Sequence, residues 1–229
     1  MNSGLSIVMP VLDEAETIVS VLQGARRACP GAEIVLVDGG STDDTVAKAR
    51  GLPDLVISSP PGRARQMNTG ADAVFGDVIL FLHADTQLPH MAEGAILDAI
   101  ASGADWGRFD VRIEGRPAIL RLVGPLMNAR SRLTGVATGD QAIFVTKAAF
   151  VRVGGFSDIP LMEDIDLSKR LRRISRPACL HSKAVTSGRR WEANGPLRTI
   201  VTMWALRLAY WLGVSPRTLA EIYGRLKAR

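Results

Sequence analysis

Residues 33–50 read "EIVLVDGGSTDDTVAKAR", and this stretch decides the fold class. Ile34 to Val37 form an unbroken apolar run closed by Asp38. Gly39-Gly40 supply a turn, and the Ser/Thr/Asp cluster of residues 41–45 can cap a helix start. The unit is strand, turn, helix. Upstream, "LSIVMPV" (5–11) is a second apolar run. "AETIVSVLQGARRAC" (15–29) follows it, with Ile18, Val21, Leu22 and Ala25 at helical spacing. Downstream, "DLVISSPPG" (54–62) reads as a strand, "RARQMNTGADAVF" (63–75) as a helix and "DVILFLHAD" (77–85) as a strand. Apolar strands separated by helices predict a parallel sheet covered on both faces, an α/β fold.

The second half is less regular. "MAEGAILDAIASG" (91–103) predicts a helix and "WGRFDVRIEG" (106–115) a half-exposed strand. "PAILRLVGPLMNARSRLTG" (117–135) predicts a helix broken at Gly124-Pro125. "DQAIFVTKAAFVRVGGF" (140–156) predicts a short strand, a short helix and a glycine turn. "LMEDIDLSKRLRRIS" (161–175) is a helix with acids at its start and bases at its end, the favourable sense for its dipole. In "LRTIVTMWALRLAYWL" (197–212), Arg198 and Arg207 cut the run below the roughly 20 apolar residues of a membrane span. Its apolar positions surround the helix, so a packed core helix is expected. The alternative is a membrane-surface contact through Trp204, Tyr210 and Trp211.

Charge is split along the chain. Residues 1–168 hold 14 Lys and Arg against 21 Asp and Glu; residues 169–229 hold 14 against 2. Such an end suits an anionic partner: a diphosphate, an anionic membrane or nucleic acid. Nucleic acid is not expected, because the tail's aromatics sit in an apolar helix rather than among the charges as stacking platforms. Cys29 and Cys179 form neither a disulfide framework nor a zinc motif. The opening "MNSGLSIVMPVLDEAE" lacks the basic start of a signal peptide, so a cytoplasmic protein is expected, with membrane association left to the basic tail.

Ligands of open parallel sheets bind beyond the carboxyl ends of the strands, where Pro10, Asp38, Ser58–Pro61 and His83–Asp85 fall. Neither G-x-G-x-x-G nor G-x-x-x-x-G-K-[ST] occurs there, which removes the dinucleotide and P-loop readings. Asp38 can accept hydrogen bonds from a base or ribose, and Gly39 lets a ligand approach the backbone. Asp85 is a hard oxygen ligand suited to Mg²⁺ or Mn²⁺, or else a turn residue.

Together "SIVMPVLDEAETI", "VDGGSTDDT", "FLHADT", "GGFSDIPLMEDIDLSKRLRR" and "SGRRW" run in order over roughly residues 5–191. They resemble a family-2 glycosyltransferase, in particular the small stand-alone bacterial members without a transmembrane domain. The resemblance implies the GT-A fold, a mostly parallel Rossmann-like sheet flanked by helices. It implies a domain over 1–192, with a nucleotide-sugar half to about 88 and an acceptor and catalytic half over 89–192. A helical basic extension over 193–229 would follow. The implied reaction is inverting, metal-dependent transfer from a UDP- or GDP-linked sugar to an acceptor hydroxyl, on a small molecule or lipid phosphate. Nucleotidyl transfer is the rival, but "PVLDEAE" stands where a glycine- and lysine-rich phosphate loop would be needed. A non-catalytic nucleotide-sugar-binding protein is the other alternative.

By the same resemblance Pro10, Val11, Asp38 and Gly39 hold the base, and Arg65 and Asn68 contact the nucleotide. Ala84 and Asp85 match the end of the family's Asp-X-Asp, with His83 replacing its first carboxylate; Asp85 and His83 are the metal candidates. Glu163-Asp164 match the catalytic acidic pair, with Asp164 as base. Arg190 and Trp191 match the tail of Gln-x-x-Arg-Trp, with Ser187 in place of Gln. Asp140 and Gln141 are the acceptor-side candidates, and His181 is read as a surface histidine.

Overall fold

A computed structural model describes residues 4–227, except the side chains of Arg190, Asn194 and Lys227. The expected alternation is present: β1 (Leu5–Val11), α1 (Ile18–Ala28), β2 (Glu33–Asp38), α2 (Thr45–Ala49), β3 (Leu55–Ser58), α3 (Arg63–Ala73) and β4 (Val78–Phe81). These four strands are parallel, and their register sets Val11 beside Asp38 and Asp38 beside Ser58. Their carboxyl ends therefore share one edge. Every residue of β1 is buried. Ile7, Met9, Ile34 and Leu36 face one core layer with α1. Val8, Val35 and Val37 face the other, with Met67 of α3. This two-sided burial is why the runs are apolar throughout rather than alternating.

The rest of the sheet is mixed. After β5 (Thr86–Gln87) come α4 (Ala92–Ala101), β6 (Trp106–Glu114), α5 (Leu120–Thr134), a short 3₁₀ turn (Gly139–Gln141) and β7 (Ile143–Thr146). Then follow α6 (Lys147–Arg152), α7 (Glu163–Leu171) and β8 (Ala178–Ser187). The sheet order is β3-β2-β1-β4-β7-β6-β8-β5. Strand β7 is antiparallel to β4 and β6, and β8 is parallel to β6. The strands β5 and β8 have no counterpart in the sequence reading, because a two-residue strand and a largely half-exposed one carry little periodic signal.

Strand β5 also reveals the curvature. Five residues from Phe81 to Thr86 reach about 17 Å at most. In a flat sheet the four strand gaps between β4 and β5 would already take about 19 Å. The sheet must curl, and the register irregularity at Phe109/Asp110 of β6 is the kind of feature that bends a strand. Gln87 of β5 consequently packs on Gly24 of α1, where a larger side chain would collide with it. The curl carries the ends of β6 and β8 over the ligand edge.

Two expectations are corrected. Helix α5 runs unbroken through Gly124-Pro125. A Cβ at Gly124 would stand 3.0 Å from the Val111 carbonyl, so glycine permits the helix to seat on β6. Arg121 and Pro125 lie on the exposed face, where water can serve the carbonyl that proline leaves unbonded. Residues 197–212 do not form a core helix. After α8 (Arg189–Asn194), helix α9 (Pro196–Trp211) buries only Thr199 and Leu206. Leu197, Val201, Trp204, Leu208 and Trp211 line its outer face and stay 57–74% exposed. Helix α10 (Pro216–Lys227) packs beneath through Leu219. Among the described residues no helix is long and apolar enough to cross a membrane.

Candidate active site

The base of the cleft is built where β1 and β2 end. Asp38 is 8% exposed, and its carboxylate accepts the Gly40 and Ser41 amides at 3.1 Å each. The Val11 carbonyl accepts the Gly39 amide at 2.9 Å. Gln66 of α3, wholly buried, donates to the Val11 and Val37 carbonyls at 2.8 and 2.9 Å. A Cβ at Gly39 would lie 2.9 Å from the Gln66 amide, so glycine is needed for close approach here. Pro10 stays inside β1, opposite Val37.

The loops after β1 and β2 are stitched together by polar side chains. Asp13, in the left-handed region at φ 54°, accepts the Thr42 amide at 2.8 Å. Glu14 and Ala15 donate their amides to Thr45 and Asp43. The Thr45 hydroxyl also bonds Asp43 and holds that carboxyl below the usual range. The "STDDT" cluster is thus a clasp for the "LDEAE" loop as well as a helix start.

Beyond β4 the chain alternates. Ala84 turns into the core, 4% exposed, while His83 and Asp85 turn to the cleft, half-buried. Asp85 is fixed by its carbonyl, which accepts the Ser187 amide at 3.0 Å, and by the Thr86 hydroxyl. Asp140, in the 3₁₀ turn, joins them: the ligand atoms of His83, Asp85 and Asp140 all lie within 4.8 Å of one another. Any side chain at Gly139 would collide with the His83 ring, so that glycine seats the imidazole. Two carboxylates and one imidazole are a fit donor set for Mn²⁺, and less so for Mg²⁺, which prefers oxygen throughout.

The acidic pair opens α7. Asp164 accepts the Gly139 amide at 2.8 Å and its neighbour's amide at 2.7 Å. Glu163 is 6% exposed; burial, then the adjacent Asp164, raise its pKa to about 7, with Arg63 opposing. Arg63, the first residue of α3, reaches Glu163 at 3.9 Å. Burial depresses the Arg63 pKa, but Glu163, Asp140, Asp164 and Asp85 together hold it above the ordinary guanidinium value. Protein surrounds Arg63 in the cleft, yet 51% of its side-chain surface meets water, so solvent screens these pairs.

Several expected residues stand elsewhere. Arg65 pairs with exposed Asp158 at 2.9 Å, and Asn68 braces the Phe156 backbone at 2.8 and 2.9 Å. Both tie α3 to the loop before α7; Arg63 is the arginine that enters the cleft. Gln141 is fully buried, bonding Thr138 and Asn128, and offers nothing to an acceptor. Asp140 sits with the metal candidates. Trp191 packs with Leu120, Val123 and Ile200. The Arg190 side chain lies outside the described residues, while Arg189 pairs with Glu14 and Glu16. His181 is on the surface, 86% exposed. Arg63, Gln66 and the metal-side placement of Asp140 escape the sequence reading. A polar Gln within the apolar face of α3 (Ala64, Met67, Ala71) was the available signal for Gln66.

The glycosyl transferase family 2 profile matches residues 6–158, about two thirds of the chain. The chain belongs to that family. Glucosyl-3-phosphoglycerate synthase of Mycolicibacterium paratuberculosis is 32% identical over 99 residues, which cover 38% of this chain and 30% of that protein. The chain thus spans under a third of the length of this curated relative. The Mycobacterium tuberculosis glucosyl-3-phosphoglycerate synthase, solved with Mn²⁺, UDP and glucosyl-3-phosphoglycerate, superposes with a TM-score of 0.64 at 20% identity. The match covers 92% of this chain and 79% of that one. Staphylococcus aureus TarS 1–349 with UDP gives 0.64 at 17%, covering 80% and 60%. These likenesses establish the GT-A glycosyltransferase fold.

Proposed function

We propose that this chain is an inverting glycosyltransferase that moves a sugar from a nucleoside diphosphate donor to an acceptor hydroxyl. The observation that carries the reading is the meeting of His83, Asp85 and Asp140 at the edge that also holds Asp38, with Glu163 and Asp164 alongside. Asp38 and the Val11–Gly39 floor bind the nucleoside end. Asp85, His83 and Asp140 would hold Mn²⁺ or Mg²⁺, which would supply positive charge against the negative charge gathering on the departing diphosphate. The glucosyl-3-phosphoglycerate synthase complex with Mn²⁺ and UDP supports this donor and metal class. We assign the donor to the half ending near residue 88, the acceptor and base to 89–192, and a basic extension to 193–229.

Asp164 takes the proton of the acceptor hydroxyl as its oxygen bonds to the anomeric carbon. The bond to the diphosphate oxygen breaks, and its electron pair leaves with the nucleoside diphosphate. Attack from the opposite face inverts the anomeric centre, and no enzyme nucleophile is needed. The Gly139 amide, donating to its carboxylate at 2.8 Å, aims the Asp164 side chain. Arg63 balances the carboxylates around it. Helix α9 presents its exposed apolar face in the basic last quarter of the chain, which suits a peripheral contact with an anionic membrane.

Thermal shift against a panel of nucleotide sugars, with and without Mn²⁺, is the primary test, because a ligand of the native state raises Tm. A metal-dependent rise with one donor is expected, lost in Asp85→Ala. Asp164→Asn is expected to keep donor binding and lose transfer. A wild-type protein indifferent to every nucleotide sugar with metal would overturn the reading. Co-sedimentation with anionic vesicles at low salt tests the membrane contact.

A further inference from the structure

A cavity of about 650 Å³ opens between α5 and α9, within the range of small-molecule sites, roughly 300–1,000 Å³. Its walls are apolar, from Val123 and Met127 of α5 and Ile200 and Met203 of α9. Three features separate it from a packing defect. First, Asp140 lines it, so the cavity opens onto the metal-side carboxylates. Second, two cations, Arg130 and Arg207, line the same space. The buried Nε of Arg130 has no hydrogen-bond partner among the described residues, and its Nη2 makes one long contact, 3.5 Å, to the Val136 carbonyl. Burial, then Arg207, pull the Arg130 pKa down to about 10, against the nearby Asp164 carboxylate. Third, the rim residues Leu126, Leu133 and Trp204 are 63–88% exposed, so the mouth is apolar on its outer side too.

A pair of facing cations in an apolar wall is unfavourable by itself and becomes favourable once an anion lies between them. We propose that the α5–α9 cavity is the acceptor site, and that the acceptor is an acidic lipid. Its chain fills the apolar walls, its anionic group sits between Arg130 and Arg207, and its reacting oxygen points toward Asp164. The exposed rim lets the chain pass from a bilayer into the cavity without crossing water. This inference rests on the glycosyltransferase reading for the role of the site, though not for its occupancy.

The test reads binding rather than transfer. Trp191 and Trp204 line the cavity, so intrinsic fluorescence reports on it. Octyl phosphate, below its micelle concentration, is titrated beside octyl glucoside and inorganic phosphate, with calorimetry in parallel. Saturable binding of octyl phosphate, at least tenfold tighter than either control, is expected. Arg130→Gln and Arg207→Gln should each remove that preference, and Ala129→Phe, a change on an exposed helix position, should block the chain. Equal binding of all three probes, or an unchanged preference in both arginine variants, overturns the proposal. Donor binding in the same samples separates the two readings. Octyl phosphate failing while a nucleotide sugar binds removes the acidic lipid and leaves the transferase. The reverse outcome leaves the lipid site and removes the transferase.

Discussion

Replacing Glu163 by Gln probes the electrostatics of the cleft directly. The carboxyl is 6% exposed, and its pKa rises from 4.5 to about 7, first through burial and then through Asp164. At about 1.4 kcal/mol per pH unit, that rise corresponds to about 3 kcal/mol. The native state binds this proton more tightly than the unfolded chain, so between pH 4.5 and 7 it carries the extra proton. Its stability therefore falls as pH rises through that window. Below pH 4.5 the group is neutral in both states and costs nothing; above pH 7 the full penalty is present. Glu163→Gln, neutral at every pH, removes this slope. Urea denaturation of both proteins without donor or metal, at pH 4.5, 6 and 7.5, gives the difference. The variant is expected to gain up to about 3 kcal/mol relative to wild type on going from pH 4.5 to 7.5. Transfer should fall at the same time, the usual exchange of stability for function at a charged site. Parallel pH profiles for the two proteins would show that Glu163 titrates normally, and the reasoning about its burial would be wrong.

Gly39→Ala drives a methyl against the Gln66 amide, which is held by two carbonyls. A loss of about 1–3 kcal/mol in urea denaturation is expected, together with weaker donor binding by calorimetry. Asn128 is 7% exposed and bonds both the N–H and the C=O of Val111, at 2.8 and 3.0 Å. Asn128→Ala leaves two buried backbone groups unpaired and should cost about 2–4 kcal/mol by the same measurement. Burial pushes the Cys29 thiol up to about 12, whereas Cys179 is only half-buried. Native protein should release one equivalent of thiol rapidly to an aromatic disulfide reagent, and the second only on denaturation.

Legibility followed the range of the signal. The edge strand β3 is largely exposed and was legible from its short apolar run ahead of Pro60-Pro61. Strands β1, β2 and β4 could be read because each is buried on both faces. Asp38 and Asp85 announced themselves for the same reason: a carboxylate closing a buried strand is conspicuous in a linear string. Arg63 and Arg65 looked alike in "GRARQMN", and only the direction of α3 sends the first into the cleft and the second to Asp158. The apolar run of 197–212 suggested a core helix, because hydrophobicity alone does not say whether a partner exists to cover it. Here none of the described elements covers the outer face of α9.

By itself the sequence determined the order of elements, the common edge of the first four strands and the carboxylates placed along it. These follow from local patterns, namely burial periodicity, turn residues and helix starts, which act within one or two elements. Only the tertiary structure decided that His83, Asp85 and Asp140 share one point, that Asp164 rests on Gly139, and that α5 and α9 enclose a cavity beside them. Those contacts join residues far apart in the chain. They depend on the curl of the sheet, which arises from the packing of all eight strands together and is written in no single segment.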